Sequence, residues 1–386
     1  MSAEVIVIGG GVVGSSITYH LARDGISVKQ LEKGSIANQG AASRASAGGI
    51  RLNNRDPREL SLAKASILRW ESLEEELEAD LEYLPTGQIM LFDHRYSIED
   101  LYDQIKEDQK YGIVSRIVER DGLKDLIPFI SPLISKGIFY PSGGQANVLL
   151  TTIAFSSAAR RLGAEIITGI EVHSIAKQNN AVTGVNTSSG FMPCNTVINA
   201  AGVWAPKLHE TLGLSLPQIK PFCHQMSATF AAPLILPGPT ISAKGTKISL
   251  KQTIDGRIRA GGGYSTKPGP NKYTGLFNEE SLKEQRNTVL SIIPAIKDYE
   301  VDFTYYGAEA HCIDDIPILG PIPEITGYLL ATGFSGHGFT ISPAVGQVLS
   351  EIAQKKTPAI SIDELSIIRS FDTEKLKDNA IRHIPG

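Results

Sequence analysis

A short apolar run opens the chain and is followed by the alternation of elements that a parallel α/β unit requires. Residues 4–8 (EVIVI) form a β-branched run of the kind that a buried parallel strand needs. A helical pattern follows and closes at Gly25, and a second apolar run, ISVKQL, ends at Glu32. Strand, helix and strand in this order predict a βαβ unit.

The next predicted helix carries an N-terminal capping signal. Asp56 stands as the N-cap, Pro57 at the first helical position and Glu59 at the third. Apolar residues then recur at steps of three and four as far as Leu77, which predicts one amphipathic helix. The acidic run 74–76 is interpreted as its solvated face.

The same patterns predict the remaining elements and their grouping. Strands are predicted at 87–92, 164–172, 196–202 and 328–331, antiparallel strands over 222–264, and helices at 97–111, 148–162, 279–293 and 341–352. Because α/β segments occur at the start, middle and end of the chain, we predict an α/β (α+β) fold of two interleaved domains. A split Rossmann-like domain comprises residues 1–85, 143–220 and 305–386, and an antiparallel-sheet domain comprises residues 86–142 and 221–304.

Composition and charge exclude several classes of protein. A formal net charge of −4 and a pI near 6.1 argue against a nucleic-acid binder, which normally carries a basic surface. The three cysteines are far apart in the chain and predict neither a disulfide framework nor a zinc ribbon. No apolar run approaches the length of a membrane span, and residues 1–11 lack the features of a secretory signal. We therefore expect a cytoplasmic protein, with peripheral docking on a membrane left open.

A glycine-rich turn lies between the first predicted strand and the first helix. Gly9, Gly11 and Gly14 form the pattern GxGxxG, and Glu32 ends the second strand. In this setting Gly9 allows a tight turn, Gly11 lets the main chain approach a pyrophosphate, and Gly14 lets the helix pack on the strand. Amide groups at the helix start would hold the phosphates, and Glu32 would accept hydrogen bonds from the adenosine ribose. The turn predicts a dinucleotide cofactor but does not by itself distinguish NAD from FAD.

Further segments indicate a family. Residues 42–51 read ASRASAGGIR, a small-residue loop ending in arginine, and residues 333–346 read GFSGHGFTISPAVG. With the pattern DxxPILG at 314–320, they resemble the D-amino-acid-oxidase-like FAD-dependent oxidoreductases over nearly the whole chain. Residues 221–225 (PFCHQ) and the intact GFSGHGF are most similar to the branch of the L-proline dehydrogenase β subunit, sarcosine oxidase β and glycine oxidase.

The resemblance implies an FAD-dependent amine or amino-acid dehydrogenase or oxidase. FAD would be held by the Rossmann-like domain, and hydride would pass from the carbon next to nitrogen to flavin N5, leaving an imine. The implied partners are a small amine or imino-acid substrate, O2 or another electron acceptor, and a partner subunit or a second copy, with no nucleic acid. The flavin is expected to be non-covalent, because Gly307 stands where monomeric sarcosine oxidase has its linking cysteine.

The motifs and the resemblance together assign the candidate site residues. Arg51 would pair with a substrate carboxylate or lie beside the flavin, the alternative being a surface arginine. His224, Tyr264 and His337 are the other candidates for substrate or flavin contact. The predicted cofactor contacts are Gly9, Gly11, Val13, Gly14, Glu32, Lys33, Ser43, Ser46, Ala47, Gly48, Val172, Ala200, Gly202, Trp204, Gly336, His337, Gly338, Phe339 and Thr340.

Two departures from the family bear on the substrate. Thr340 stands where monomeric sarcosine oxidase has a lysine that grips the substrate carboxylate, and Glu309 stands where glycine oxidase has an arginine. We therefore expect a secondary amine or cyclic imino acid rather than free glycine. Glu309 either contacts a cationic part of the substrate or points into solvent. The pattern around His311 and Cys312 lacks a supporting ligand cluster, so no metal is predicted.

Two other functions stay open at this point. One is FAD-dependent oxidation of a C–OH substrate of the glycerol 3-phosphate or 2-hydroxy-acid type. The other is a non-catalytic FAD subunit of an electron-transfer complex. Reduction of the flavin by amines, by hydroxy acids or by neither distinguishes the three.

Overall fold

The N-terminal βαβ unit forms as the sequence pattern predicts. The computed structural model describes residues 3–38 and 40–371. In it β1 (Val5–Ile8) and β2 (Val28–Glu32) pair in parallel and are joined by helix α1 (Val12–Arg23). The β-branched run is fully buried, as a central parallel strand requires.

The other elements follow in chain order. The further helices of the described ranges are α2 (Leu60–Trp70), α3 (Leu73–Leu77), α4 (Ile98–Lys110), α5 (Arg120–Leu126), α6 (Val148–Arg161), α7 (Ala205–Glu210), α8 (Glu279–Ile292) and α9 (Gly338–Ala353). The strands up to the middle of the chain are β3 (Gly40–Ala41), β4 (Gly49–Ile50), β5 (Gln88–Phe92), β6 (Arg116–Glu119), β7 (Lys136–Tyr140), β8 (Gly144–Gln145), β9 (Glu165–Thr168), β10 (Val172–Gln178), β11 (Ala181–Thr187), β12 (Gly190–Pro193) and β13 (Thr196–Asn199). The later strands are β14 (Ile219–Ala231), β15 (Thr240–Ala243), β16 (Thr246–Gln252), β17 (Arg257–Gly261), β18 (Lys267–Pro268), β19 (Gly275–Leu276), β20 (Val301–Cys312), β21 (Ile318–Pro321) and β22 (Tyr328–Thr332).

A six-stranded sheet forms the nucleotide-binding half of the molecule. Its order is β21-β22-β13-β1-β2-β9, and only the edge strand β21 runs antiparallel to its neighbour. Val5 and Val7 of β1 pack toward helices α1, α6 and α9, whereas Ile6 and Ile8 face the small sheet β10-β11-β12. Because both faces are covered, the turn after β1 opens only at the carboxyl edge of the sheet.

A nine-stranded sheet forms the second half. Its order is β3-β20-β14-β17-β16-β15-β5-β7-β6. Ile248 and Leu250 of β16 bury their side chains with those of α8, while Ser249 and Lys251 alternate to the opposite face. That opposite face covers the carboxyl edge of the six-stranded sheet, so the fold class predicted from the sequence is confirmed.

The nine-stranded sheet differs from the prediction in two respects. The predicted antiparallel run contains β14 to β17, but β15 pairs in parallel with β5 at its edge. Strand β20 was not predicted, although it pairs with β14 from Ile219↔Cys312 onward. Its sequence VDFTYYGAEAHC lacks the regular apolar alternation of a half-buried strand, because Glu309 and His311 take positions on its site-facing side.

The predicted helix 57–77 is interrupted, and its acidic run is only partly solvated. Helix α2 ends at Trp70 and α3 begins at Leu73. Glu74 accepts hydrogen bonds from the main chain of residues 81 and 83, and Glu76 pairs with Arg69. Of the three residues that were interpreted as a solvated face, only Glu75 is exposed, while Glu74 and Glu76 are half-buried.

The predicted division into two domains stays a prediction. Two of its boundaries, after residues 220 and 304, fall inside β14 and β20. Each of these two long strands belongs to the nine-stranded sheet along its whole length. No linker segment therefore stands at either of the two boundaries. Residues 372–386, which the prediction placed in the first domain, lie outside the described ranges.

Candidate active site

A deep cavity runs from the turn after β1 to the underside of the nine-stranded sheet. Almost all the predicted cofactor contacts line it, together with the candidates Arg51 and His224. The lining residues among those predicted for the cofactor are Gly9, Gly11, Val13, Gly14, Glu32, Lys33, Ser43, Ser46, Ala47, Gly48, Val172, Ala200, Gly202, Trp204, Gly336, Gly338 and Phe339. His337 and Thr340 are buried beside it and do not line it.

The glycine turn has the geometry that a pyrophosphate requires. Gly9 adopts φ +116°, and a Cβ on Gly14 would lie 2.2 Å from the Gly9 carbonyl oxygen, so both positions need glycine. Helix α1 starts after Gly11 without a side-chain cap. The positive end of this 12-residue helix therefore faces the cavity, where it favours an anion.

Glu32 closes this end of the cavity. Its carboxylate accepts hydrogen bonds from Gly10 N and Gly34 N, each at 2.7 Å. Carboxylate oxygens have further lone pairs, so Glu32 keeps the capacity to accept ribose hydroxyls. Lys33 lies with its Nζ 3.8 Å from the centre of the Trp204 ring, which fixes both side chains at the cavity wall.

A second helix N-terminus reaches the cavity from the C-terminal glycine loop. Helix α9 begins at Gly338, and its N-cap His337 makes no side-chain cap. Gly336 and Gly338 line the cavity, so main-chain amide groups and a helix dipole are directed to it. Such an arrangement stabilises negative charge on a bound group.

Arg51 is buried on the cavity wall. It is 7% exposed, which excludes the alternative of a surface arginine. Its Nη1 donates hydrogen bonds to the carbonyl oxygens of Asn53 and Asn54, at 2.6 and 3.2 Å. Burial, and then the nearby charge of Arg55, lower the pKa of Arg51. The main-chain contacts hold the guanidinium in one orientation, and its role toward a substrate carboxylate stays a prediction.

Glu59 is a buried carboxylate that the sequence analysis placed only as a helix-start residue. It accepts from His337 Nδ1 at 3.0 Å and from Arg55 Nη1 at 3.3 Å, while Arg55 Nε donates to the Arg51 carbonyl. Burial alone would raise the pKa of Glu59, but His337 and Arg55 outweigh it and hold the pKa below its usual value. The imidazole of His337 thus anchors the loop rather than facing the cavity.

Two other predicted contacts are turned away from the cavity. Tyr264 is 2% exposed, and its hydroxyl donates to Thr288 Oγ1 on α8 at 2.9 Å, so it packs in the core behind the sheet. The prediction that its side chain faces the site is corrected by this geometry. Thr340 Oγ1 donates to the Gly49 carbonyl and accepts from Arg51 N, so it joins α9 to the loop that carries Arg51.

Three side chains from the paired strands β14 and β20 meet at the cavity wall. His224 Nε2 lies 3.0 Å from His311 Nε2 and 3.5 Å from Glu309 Oε2. Antiparallel pairing places His224 opposite Gly307, one step along the same face from Glu309. Gly336 N donates to Glu309 Oε1 at 2.6 Å, so Glu309 points into the site and not into solvent.

The electrostatics of this group follow from burial. Burial lowers the pKa of His224 to about 4 and raises the pKa of Glu309 to about 7. His224 is therefore neutral near pH 7, and Glu309 is a carboxylate at higher pH. His224, Glu309 and His311 also form the one group in residues 3–38 and 40–371 that could hold a metal ion. The expectation of no metal stays a prediction.

The fold and this cavity together define a dinucleotide-binding protein, in which a glycine turn and two helix N-termini lie under a sheet with polar side chains. The family model described as "DAO: FAD dependent oxidoreductase" matches residues 4–352. The chain belongs to this family of FAD-dependent oxidoreductases, and FAD is its cofactor. The turn at Gly9–Gly14 and the carboxylate of Glu32 fit the adenosine and pyrophosphate of FAD.

Known proteins of the family resemble the chain over most of its length. Dimethylglycine dehydrogenase of Mus musculus is 26% identical over 387 residues, which cover 94% of this chain and 44% of that protein. Hydrogen cyanide synthase subunit HcnC of Pseudomonas aeruginosa is 26% identical, and the match covers 93% of this chain and 94% of that subunit. The crystal structure of L-proline dehydrogenase from P. horikoshii superposes with a TM-score of 0.87 at 28% identity, covering 95% of this chain and 96% of that one.

The chain therefore spans less than half the length of the mouse dehydrogenase, while it matches the other two nearly end to end. Across the part of the chain that the structure describes, no helix has both the length and the apolar character needed to cross a membrane.

Proposed function

We propose that the chain oxidises the C–N bond of a small amine or amino acid with FAD, and that its preferred substrate is a secondary amine or cyclic imino acid. When bound, FAD supplies the acceptor for a hydride. Two of the similar proteins support the class of substrate, since their names are L-proline dehydrogenase and dimethylglycine dehydrogenase. L-Proline is a secondary amine and dimethylglycine is a tertiary amine, so the two names support an N-substituted amino acid, and the name of L-proline dehydrogenase supports the secondary amine in particular.

The observation that carries the proposal is the position of Glu309 and His224 on the cavity wall. An alkylamine is mainly an ammonium ion at neutral pH, since its pKa is about 10, like that of lysine. It must lose a proton before the carbon next to nitrogen can lose hydride. Above pH 7 the Glu309 carboxylate attracts this ammonium ion and can accept its proton, while neutral His224 adds no opposing charge.

Arg51 supplies the complementary charge for the carboxylate of an amino-acid substrate. It lies on the wall of the same cavity and is held by the main chain of residues 53 and 54. A guanidinium whose orientation is already fixed loses little entropy on binding a carboxylate. Amine and carboxylate would thus be bound by different elements, Arg51 after β4 and Glu309 on β20.

An anaerobic substrate screen tests the proposed function. Purified holoenzyme is mixed with L-proline, sarcosine, larger N-alkyl amino acids, glycine, D-alanine and glycerol 3-phosphate, and bleaching of the flavin is followed. The secondary amines should reduce the flavin fastest. Fastest reduction by glycine or D-alanine would contradict the substrate class, and fastest reduction by glycerol 3-phosphate would establish C–OH chemistry. A flavin reduced by none of them would indicate an electron-transfer subunit.

We further propose that the electrons leave either to O2 or to a partner subunit that carries them onward. The name of one similar protein, a hydrogen cyanide synthase subunit, supports an assembly of this kind. Mixing the reduced holoenzyme with air-saturated buffer distinguishes the two routes. Re-oxidation within seconds indicates an oxidase, and a flavin that stays reduced indicates a dehydrogenase with another acceptor.

A further inference from the structure

A second cavity of about 490 Å³ adjoins the FAD cavity and belongs to no part of the proposed reaction. Ser43, Ser46, Ala47 and Val148 line both cavities, so the two are separated only by the small-residue loop and the start of α6. Its volume is in the range of small-molecule sites. The floor of the cavity is the continuation of the same sheet face that covers the FAD cavity.

Three cationic side chains face this second cavity, here named the cationic cavity. Arg44 comes from the small-residue loop, Lys251 from β16 and Arg259 from β17. Lys251 and Arg259 are direct partners in the antiparallel register, which places both on the same face of the sheet. Sheet pairing therefore forces two like charges together, an arrangement that costs free energy in an empty cavity.

The polar atoms of the cationic cavity are poorly satisfied. Lys251 is 5% exposed, and no residue of the described ranges accepts a hydrogen bond from its ammonium group. Arg259 Nε is buried without a hydrogen-bond partner among the described residues, and the buried Tyr305 hydroxyl interacts with the Arg259 guanidinium. Arg259 otherwise lies 3.7 Å from Asp255 and near the Tyr305 ring. Buried polar groups without partners are rare, and they indicate a ligand or ordered water.

The negative charge nearby does not balance these cations. Glu82 is the acidic residue that lines the cationic cavity, and its Oε2 already accepts from Asn147 Nδ2. Burial, followed by the charge of Arg259, lowers the pKa of Lys251 to about 7. Asp255 beside Arg259 is the other carboxylate close to these cations, so the group carries one positive charge in excess when Lys251 is protonated, and an anion would stabilise that state.

We propose that the cationic cavity is a binding site for a small dianion of the dicarboxylate or phosphate type. Three cationic groups and the Tyr305 hydroxyl supply the donors that such oxygen-rich anions accept from. The site adjoins the FAD loop, because a Cβ on Gly48 would lie 2.9 Å from Lys251 Nζ. A bound dianion would thus lie next to the loop that lines the FAD cavity, whichever substrate the enzyme oxidises.

Binding to the holoenzyme tests this site directly. Inorganic phosphate and succinate are titrated into FAD-loaded protein by calorimetry, with sodium chloride at equal ionic strength as the reference. We expect one of the two dianions to bind with a Kd of about 1 mM or lower. Lys251→Met should weaken this binding by about 30-fold or more, since a buried charge contact is lost. Lys247→Met, on an exposed position of the same strand, should leave it unchanged.

The outcome that overturns the proposal is equally direct. Wild-type heats indistinguishable from those of chloride, or equal binding by Lys251→Met and Lys247→Met, would exclude the site. Each variant is first checked for bound FAD and for its melting temperature. Should Lys251→Met fail to load FAD, Arg44→Gln provides the same comparison from the loop side, where the side chain is only half-buried.

Kinetics then distinguishes two sources of the dianion. If succinate or phosphate raises KM for the amine without changing kcat, and Lys251→Met removes this effect, the cationic cavity holds a further acidic group of the substrate itself. If either anion changes kcat without competing with the amine, the cavity holds a separate effector. The substrate screen measures flavin reduction without any added dianion, so its result does not depend on whether the cationic cavity binds an anion. The proposal of the anion site and the proposal of C–N oxidation can therefore fail independently.

Discussion

At the scale of single residues, burial decides which titratable groups can do chemistry. His224 and Glu309 lie 3.5 Å apart, and the same desolvation keeps the imidazole neutral and brings the pKa of the carboxyl to about 7. Neither shift can be read from the sequence, in which both residues stand in ordinary strand patterns. Their pairing follows from the register of β14 and β20.

The Glu309 carboxylate predicts a pH dependence. Because burial raises its pKa to about 7, kcat/KM for the amine should increase as pH rises through about 7, where the carboxylate forms. Glu309→Gln keeps the hydrogen bond from Gly336 N but removes the charge. The increase of kcat/KM with pH near pH 7 should therefore disappear, and kcat/KM should fall. The measurement is a pH profile of anaerobic flavin reduction. Glu284→Gln, at an exposed position, is the control, and an unchanged pH dependence in Glu309→Gln would refute the assignment.

Arg51 predicts a loss of substrate affinity. Arg51→Ala should cost about 2–4 kcal/mol in kcat/KM for a carboxylate-bearing amine, because a buried guanidinium contact is removed. Arg51→Lys should recover little, since an ammonium lacks the planar fork of donors. Arg160→Ala, on the exposed end of α6, serves as the reference. Equal kcat/KM in Arg51→Ala and the reference would remove Arg51 from the site.

At the scale of elements, the site depends on how helix termini are joined to loops. The N-terminus of α9 is fixed to the turn before α2 by Glu59, which accepts a hydrogen bond from His337 and forms an ion pair with Arg55. Thr340 adds hydrogen bonds from the first turn of α9 to the loop that carries Arg51. These contacts orient the amide groups that face the cavity, and the imidazole of His337 contacts Glu59 and does not line the cavity.

Glu59→Gln should therefore destabilise the fold by about 3–5 kcal/mol at pH 7, because Arg55 stays buried without a counter-charge. The pKa of Glu59 is lower in the folded protein than in the unfolded chain. Its contribution to the free energy of unfolding is therefore fully present at pH values above the unfolded-state pKa, and it is lost as the pH falls through the folded-state pKa. Thermal unfolding at several pH values checks this, with the exposed Glu75→Gln as control. A melting temperature equal to wild type would show that the pair is dispensable.

At the scale of the whole molecule, two sheets enclose the cavity from opposite sides. The six-stranded sheet presents the glycine turn, and the nine-stranded sheet presents polar side chains on the face that covers it. Long β14 and β20 bring the chemistry-bearing residues over the C-terminal glycine loop. Polar residues that would be poorly placed in a core are therefore concentrated on the face toward FAD.

This enclosure predicts that FAD is held without a covalent bond. Gly307 lines the cavity at the position where a linking cysteine would stand, so denaturation should release intact FAD and leave a colourless chain. Acid precipitation followed by chromatography of the supernatant measures this. Flavin that stays with the precipitated protein would contradict the prediction, and the recovery of NAD in place of FAD would contradict the cofactor.

The sequence by itself determined the cofactor-binding half of this protein. The turn at Gly9–Gly14 and the strand that ends at Glu32 are local motifs, whose geometry depends on near neighbours and on the freedom of glycine. Their positions could be predicted because few distant contacts are needed to form them. The family and the cofactor follow from these segments.

Only the tertiary structure decided which side chains meet around the site. His224 and His311 are 87 residues apart and come together through one antiparallel register, and a shift of one residue would place the two side chains on opposite faces of the sheet. For the same reason Lys251 and Arg259, which are partners in the register of β16 and β17, share a cavity. Strand alternation makes the face of every side chain depend on pairing that no local pattern contains.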